Sequence, residues 1–121
     1  MLLNYGHTIG HALEALTGYG TLLHGEAVFL GMAAEARIAG RLGMIPAELV
    51  ARQDALSRAA GSPQAIPPLA PEAILEATRV DKKTRGGRVR WVLPTGIGAA
   101  TTRSDVPDEL VIDVLRAWQA L

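Results

Sequence analysis

A mainly α fold, several helices with one short β-hairpin near the C-terminus, is predicted by three features of the sequence. Apolar residues recur at helical spacing in successive segments, and Gly18, Gly43 and Gly61 stand where three of those segments stop. Apolar side chains make up 49% of the chain but aromatic ones only 4%, so the core is filled by Ala, Leu, Ile and Val, which suits close-packed helices. One stretch breaks the helical period: Val89, Trp91 and Leu93 alternate with Arg88, Arg90 and Val92, as a strand requires. At 121 residues the chain reads as one domain over 1–121, long enough for a core but short for a whole cofactor-dependent enzyme.

The first helix is expected from about Tyr5 to Leu16. Ile9, Ala12, Leu13 and Leu16 form its apolar stripe, and Asn4 is placed to cap it. Tyr19, Gly20 and Thr21 make a tight connection after Gly18, and Leu22 and Leu23 lead into His24. A second helix starts between His24 and Glu26 and continues to about Leu42. Val28, Leu30, Met32, Ala33, Ala36 and Ile38 leave its first half apolar on nearly every side, the mark of a buried helix. Its polar face is confined to Glu35, Arg37 and Arg41.

Ile45-Pro46 opens a third, amphipathic helix reaching about Ala60, with proline in the first turn and Glu48 near the positive helix end. Ser62 to Leu69, with three prolines, is a connector. A fourth helix follows Pro71 to about Val80, and DKKTRGG, Asp81 to Gly87, reads as a loop. The alternating strand comes next, Pro94-Thr95-Gly96 turns the chain, and a weaker strand covers Ala99 to Arg103. Leu110, Val111, Val114, Leu115 and Trp118 form the stripe of a last helix.

Twelve basic and twelve acidic side chains cancel, and neither sign forms a block, so no nucleic-acid footprint or polybasic membrane anchor is expected. The absence of cysteine removes disulfides and thiolate metal sites, which leaves nitrogen and oxygen as metal ligands. No apolar run is long enough to span a bilayer, and the Met1 end lacks a leader pattern. A soluble, unprocessed, cytoplasmic protein is the expectation.

All three histidines, His7, His11 and His24, lie within Leu3 to Val28. Four residues separate His7 from His11, so on a helix their imidazoles share a face and can meet one divalent ion or one substrate. An HxxxH pair is also ordinary helix surface or core. His24 adds weight, because a helix start disfavours imidazolium and keeps the ring neutral. Glu14 and Glu26 are the local carboxylates; Glu26 also suits a helix N-terminus, and Glu14 can orient an imidazole from behind. The two lysines of this arginine-rich chain are adjacent, Lys82 and Lys83, beside Arg85. They can hold a phosphate or carboxylate, or simply be solvated. Neither DKKTRGG nor PTGIG fits a phosphate-binding loop that opens a helix.

LNYGHTIGHALEALTGYGTLLHGEAV closely resembles the start of the C-terminal domain of the 3-dehydroquinate synthase family. DKKTRGGRVRWVLPTGIG resembles that family's later lysine segment and hairpin, and VPDELVIDVLRAW its closing helix, so the likeness runs through the whole chain. The resemblance implies a divalent metal, zinc or cobalt, and NAD used catalytically. The implied reaction is conversion of 3-deoxy-D-arabino-heptulosonate 7-phosphate to 3-dehydroquinate and phosphate, a lyase step of the shikimate pathway. It implies His7 and His24 as metal ligands that also face substrate, and His11 as a catalytic group near the transferred proton and phosphate. Asn4 would contact substrate, and Lys83, more than Lys82, would bind substrate and act in catalysis.

The family also carries a preceding α/β domain that binds NAD and supplies a glutamate ligand. No strand with a glycine-rich turn before a helix occurs here, so the NAD-binding domain is expected to be missing from this chain, which alone would be inactive. The sugar phosphate and that missing domain are the expected partners, nucleic acid and membrane are not, and a homodimer is open. Three alternatives stand beside this reading: another sugar-phosphate cyclase, an iron-dependent alcohol or glycerol dehydrogenase domain, and a non-catalytic helical module.

Overall fold

The computed structural model describes residues 2–18, 21–83 and 89–121, and for Leu2 and residues 80–83 the backbone alone. A single 3-10 turn at Leu2–Asn4 leads into helix α1 (His7–Thr17), followed by α2 (His24–Arg41), α3 (Ala47–Ala59) and α4 (Pro71–Lys83). Strands β1 (Trp91–Gly96) and β2 (Ala99–Arg103) form one antiparallel pair, and α5 (Asp108–Gln119) closes the described chain. The mainly α class with a C-terminal hairpin is therefore the observed one. Among the described residues no helix is long and apolar enough to cross a membrane.

Helix α2 is the hub, in contact with α1, α3, α5 and β1. Its buried Leu30, Ala33, Ala34, Ala36, Ile38 and Ala39 cover more than one face, as the all-round apolar sequence predicts. Ile9 and Leu13 of α1 stack one turn apart against it, and Val111, Val114, Leu115 and Trp118 present the α5 stripe to the same core. Arg37 of α2 reaches Asp54 of α3 with two hydrogen bonds, at 2.7 and 3.1 Å, while its guanidinium lies 4.9 Å from the Trp118 ring centroid. One half-buried cation thus joins three helices.

Beside these side chains, α1 and α2 also meet in a close backbone approach. A Cβ added to Gly31 would lie 1.9 Å from the Gly6 carbonyl oxygen, and one added to Gly6 would lie 2.5 Å from the Val28 oxygen. Gly6 also has φ +84°, a left-handed conformation that glycine adopts without strain. Gly10 belongs to the same seam, where a Cβ would meet the Ala27 oxygen at 3.0 Å.

Four sequence expectations are corrected. Asn4 does not cap α1: Gly6 is the cap residue and offers no side chain, and the exposed Asn4 ends the preceding 3-10 turn. Glu35 is not on a polar face but fully buried. Its carboxyl accepts the Gly6 N–H at 3.1 Å and the Ile9 N–H at 3.3 Å, so it caps α1 from the neighbouring helix. Helix α4 runs through Asp81–Lys83, residues expected in a loop. Thr84 to Gly87, the rest of that loop, lie outside the described residues. Finally, Pro94, Thr95 and Gly96 belong to β1, and the turn falls at Ile97-Gly98, where Gly98 has φ +71°. A two-stranded sheet has only edge strands, so the missing proline N–H is tolerated, and the register slips between Pro94 and Gly96.

Candidate functional site

The glycine seam brings the two helices close enough for their histidines to meet. His7 and His11 sit one turn apart on α1, with ring centroids 5.2 Å apart and planes perpendicular. His24 is the first residue of α2, and its ring lies 5.5 Å from His7 and 6.1 Å from His11. His24 therefore lies beside both α1 histidines; Tyr19 and Gly20, in the connection before it, lie outside the described residues.

Hydrogen bonds assign the rings different faces. His24 Nδ1 is 2.6 Å from Glu14 Oε1, and Glu14 is only 12% exposed against 61% for His24. A carboxylate accepts, so Nδ1 carries the proton and Nε2 keeps its lone pair. His7 Nδ1 is 3.3 Å from the Tyr5 carbonyl oxygen, which can only accept, so His7 takes the same tautomer and also frees Nε2. His11, on an exposed position of α1, has no hydrogen-bond partner among the described residues.

Each local carboxylate already has one oxygen engaged. Glu14 is engaged by His24, while Glu26 Oε1 accepts the Leu23 N–H at 2.9 Å and so caps α2. Among the described residues no group of three or more His, Asp or Glu side chains is set to hold a metal ion. The donor set nonetheless fits a divalent ion in part: two imidazoles present unprotonated Nε2 atoms, one with a carboxylate behind it, the usual outer support of a histidine ligand. An ion held by these two rings would need a further ligand from outside the described residues.

The remaining expected site residues are less fully placed. Asn4 is exposed one turn before His7. Lys82 and Lys83 end α4, which packs on α1, but their side chains lie outside the described residues, as does Arg85. Two participants have no counterpart in the sequence reading. Tyr5 contributes its carbonyl to His7 and its hydroxyl to Gln53 Oε1 at 2.7 Å, and Gln53 Nε2 in turn donates to the Met32 carbonyl at 2.9 Å. Burial raises the Tyr5 phenol well above its ordinary range despite that bond to Gln53. The other is Glu35, beneath the first turn of α1. The Gly6/Gly10 spacing, two glycines one turn apart beside the histidines, is the signal that could have revealed this close seam.

The chain is similar to known proteins over most of its length. The family model for the C-terminal part of 3-dehydroquinate synthase matches residues 1–84. The chain is 50% identical over 115 residues to a 3-dehydroquinate synthase of Crocosphaera subtropica, covering 94% of this chain and 32% of that protein. It is 46% identical over 117 residues to the enzyme of Acidithiobacillus ferrooxidans, covering 97% of this chain and again 32% of the relative. Among solved structures, 2-epi-5-epi-valiolone synthase from Streptomyces hygroscopicus subsp. jinggangensis, with NAD+ and Zn2+ bound, superposes with a TM-score of 0.87 at 28% identity, over 98% of this chain and 33% of that one. A 2-deoxy-scyllo-inosose synthase complexed with carbaglucose-6-phosphate, NAD+ and Co2+ gives 0.80 at 30% identity, over 96% and 33%. The chain spans about a third of the length of the relatives it matches. With the family model covering more than half of its residues, the chain belongs to the 3-dehydroquinate synthase C-terminal family.

Proposed function

We propose that this chain is the metal- and substrate-binding part of a 3-dehydroquinate synthase, a cytoplasmic lyase of the shikimate pathway. The reaction releases phosphate from 3-deoxy-D-arabino-heptulosonate 7-phosphate and forms 3-dehydroquinate. The observation that carries the reading is the meeting of His7, His11 and His24, within 5.2–6.1 Å of one another, inside the stretch matched by the family model.

His7 and His24 would hold the divalent ion, zinc or cobalt, through Nε2, and a carboxylate from an NAD-binding α/β half would complete the set. When bound, the metal polarises substrate oxygens and NAD accepts and returns a hydride. Glu14 fixes the His24 tautomer and holds the orientation of the ring. His11, exposed and without a hydrogen-bond partner among the described residues, can carry a proton between substrate and departing phosphate. Asn4 offers an exposed amide to substrate hydroxyls, and Lys83 an ammonium to substrate anionic groups. The NAD-binding half, whether on this protein or another chain, is the required partner, and a homodimer is compatible with the site.

A second reading within the same chemistry is a cyclase that makes another carbocycle, favoured by the two structural neighbours. Their identities of 28% and 30% fall well below the 50% to a 3-dehydroquinate synthase, so the first reading leads. The test combines the chain with an NAD-binding half from a relative, and follows phosphate release and the carbocyclic product. We expect 3-dehydroquinate, with release reduced at least about 100-fold by His7→Ala, His11→Ala or His24→Ala. A different carbocycle would select the second reading, and no substrate-dependent phosphate under conditions where an intact relative works would reject both.

A further inference from the structure

The peptide unit between Tyr5 and Gly6 is held from both sides. Its N–H donates to Glu35 Oε1 at 3.1 Å, and its carbonyl oxygen, that of Tyr5, lies 3.3 Å from His7 Nδ1. These groups belong to one planar amide, so fixing the N–H fixes the direction of the C=O. The second carboxyl oxygen, Oε2, takes the Ile9 N–H at 3.3 Å and fastens the same first turn of α1 from the other side of His7. Glu35 can perform this because it is fully buried on α2, against a seam so tight that the Gly6 carbonyl admits no Cβ on Gly31. Elsewhere the amide is braced by the Tyr5 hydroxyl on Gln53.

The geometry points to Glu35 as a positioning residue for His7, acting through the Tyr5–Gly6 amide to select the tautomer that presents Nε2. It touches neither metal nor substrate. A carboxyl group offers an acceptor at each oxygen, as the two N–H groups demand, whereas an amide of the same size replaces one acceptor with an NH2 donor. Glu35→Gln therefore keeps the volume and breaks one of the two bonds. Loss of either bond slackens the first turn of α1, whose two anchors flank His7, and His7 loses its tautomeric bias.

One arm of the test is independent of metal. Side-chain 15N shifts of His7 in the metal-free full chain report its tautomer directly. The wild type is expected in the Nδ1–H form, and folded Glu35→Gln in a mixture with a substantial Nε2–H fraction. Glu35→Asp, which keeps both acceptors on a shorter arm, is expected to fall between them, and it serves as the comparison if the Gln variant does not fold. A wild-type His7 in the Nε2–H form, or a folded variant with an unchanged tautomer, overturns the inference. The second arm rests on the proposed role of His7 as a metal ligand. Cobalt affinity of Glu35→Gln should drop about tenfold, with a shifted d–d absorption band, at unchanged helical content. Wild-type affinity and spectrum in a merely less stable variant would reduce Glu35 to a structural cap. Cobalt binding that is insensitive to His7→Ala would instead defeat the ligand reading, and the 15N arm would still decide the role of Glu35.

Discussion

His24 and Glu14 form the most informative pair at the scale of single residues. The histidine is exposed and the glutamate nearly buried, so the 2.6 Å contact gains from a locally reduced dielectric at the carboxylate while the imidazole can still meet a ligand. Such a contact contributes little to stability, on the order of 1 kcal/mol or less for a partner this exposed. It should contribute much more to metal affinity, because it sets the tautomer. Glu14→Gln, which keeps an acceptor but removes the charge, is expected to weaken zinc or cobalt binding about tenfold, with a thermal midpoint close to wild type. Competitive chelator titration alongside a thermal melt separates the two; equal affinity would show that Glu14 is only a surface partner of His24. Spacing alone pairs His7 with His11, and nothing in it distinguishes the three rings. The structure makes the distinction through what lies behind each ring, namely the Tyr5 carbonyl, the Glu14 carboxylate, and no partner among the described residues for His11. Those are tertiary contacts, which helical periodicity does not encode. Glu14 is legible as a candidate orienter because it stands three residues beyond His11 and shares the face of His7 and His11.

At the scale of elements, the site depends on how closely α1 and α2 approach. The stripes of α1, α2 and α5 were readable because burial follows the 3.6-residue period, and Gly18, Gly43 and Gly61 all take positive φ at or beside helix ends. Glu35 departs from its expected polar face for a physical reason. A charged residue in a helical pattern ordinarily marks the wet face, and only the uncapped N–H groups of another helix, 26 and 29 residues earlier, make its burial favourable. Pro94 departs from expectation in the opposite way, since a proline two residues before a glycine signals a turn unless the strand has a free edge. The seam itself yields a sharp contrast between two glycines of α2. Gly31→Ala would place a methyl 1.9 Å from a backbone oxygen, so the helices must separate. A loss of more than about 3 kcal/mol in urea unfolding is expected, with loss of the histidine cluster. Gly25→Ala meets nothing within 4 Å and should be neutral or stabilising by up to about 1 kcal/mol. Similar destabilisation by both substitutions would mean that helix backbone effects, not the close approach, govern the region.

The stability of the whole molecule should carry the signature of one buried proton. Burial raises the Glu35 carboxyl from an ordinary 4.5 to about 8, against the opposing pull of the Gly6 and Ile9 N–H groups. The folded state therefore holds a proton that the unfolded chain releases throughout the interval between those values. Where the folded state binds more protons, unfolding free energy falls as pH rises. The contribution of Glu35 is thus fully favourable below about pH 4.5, declines by at most about 1.4 kcal/mol per pH unit through the interval, and levels above about pH 8. Other groups titrate in the same range, so the decisive quantity is the difference between wild type and Glu35→Gln, from which their shared contributions cancel. That difference should shrink steadily as pH is raised from 5 to 8 in urea titrations, because the amide has no proton to lose. A difference that stays constant with pH would mean that Glu35 is already ionised at pH 5, held as an anion by its two N–H partners. The opposite slope, a difference that grows with pH, would mean that the Gly6 and Ile9 N–H groups hold the anion more strongly than burial opposes it, and would overturn the prediction.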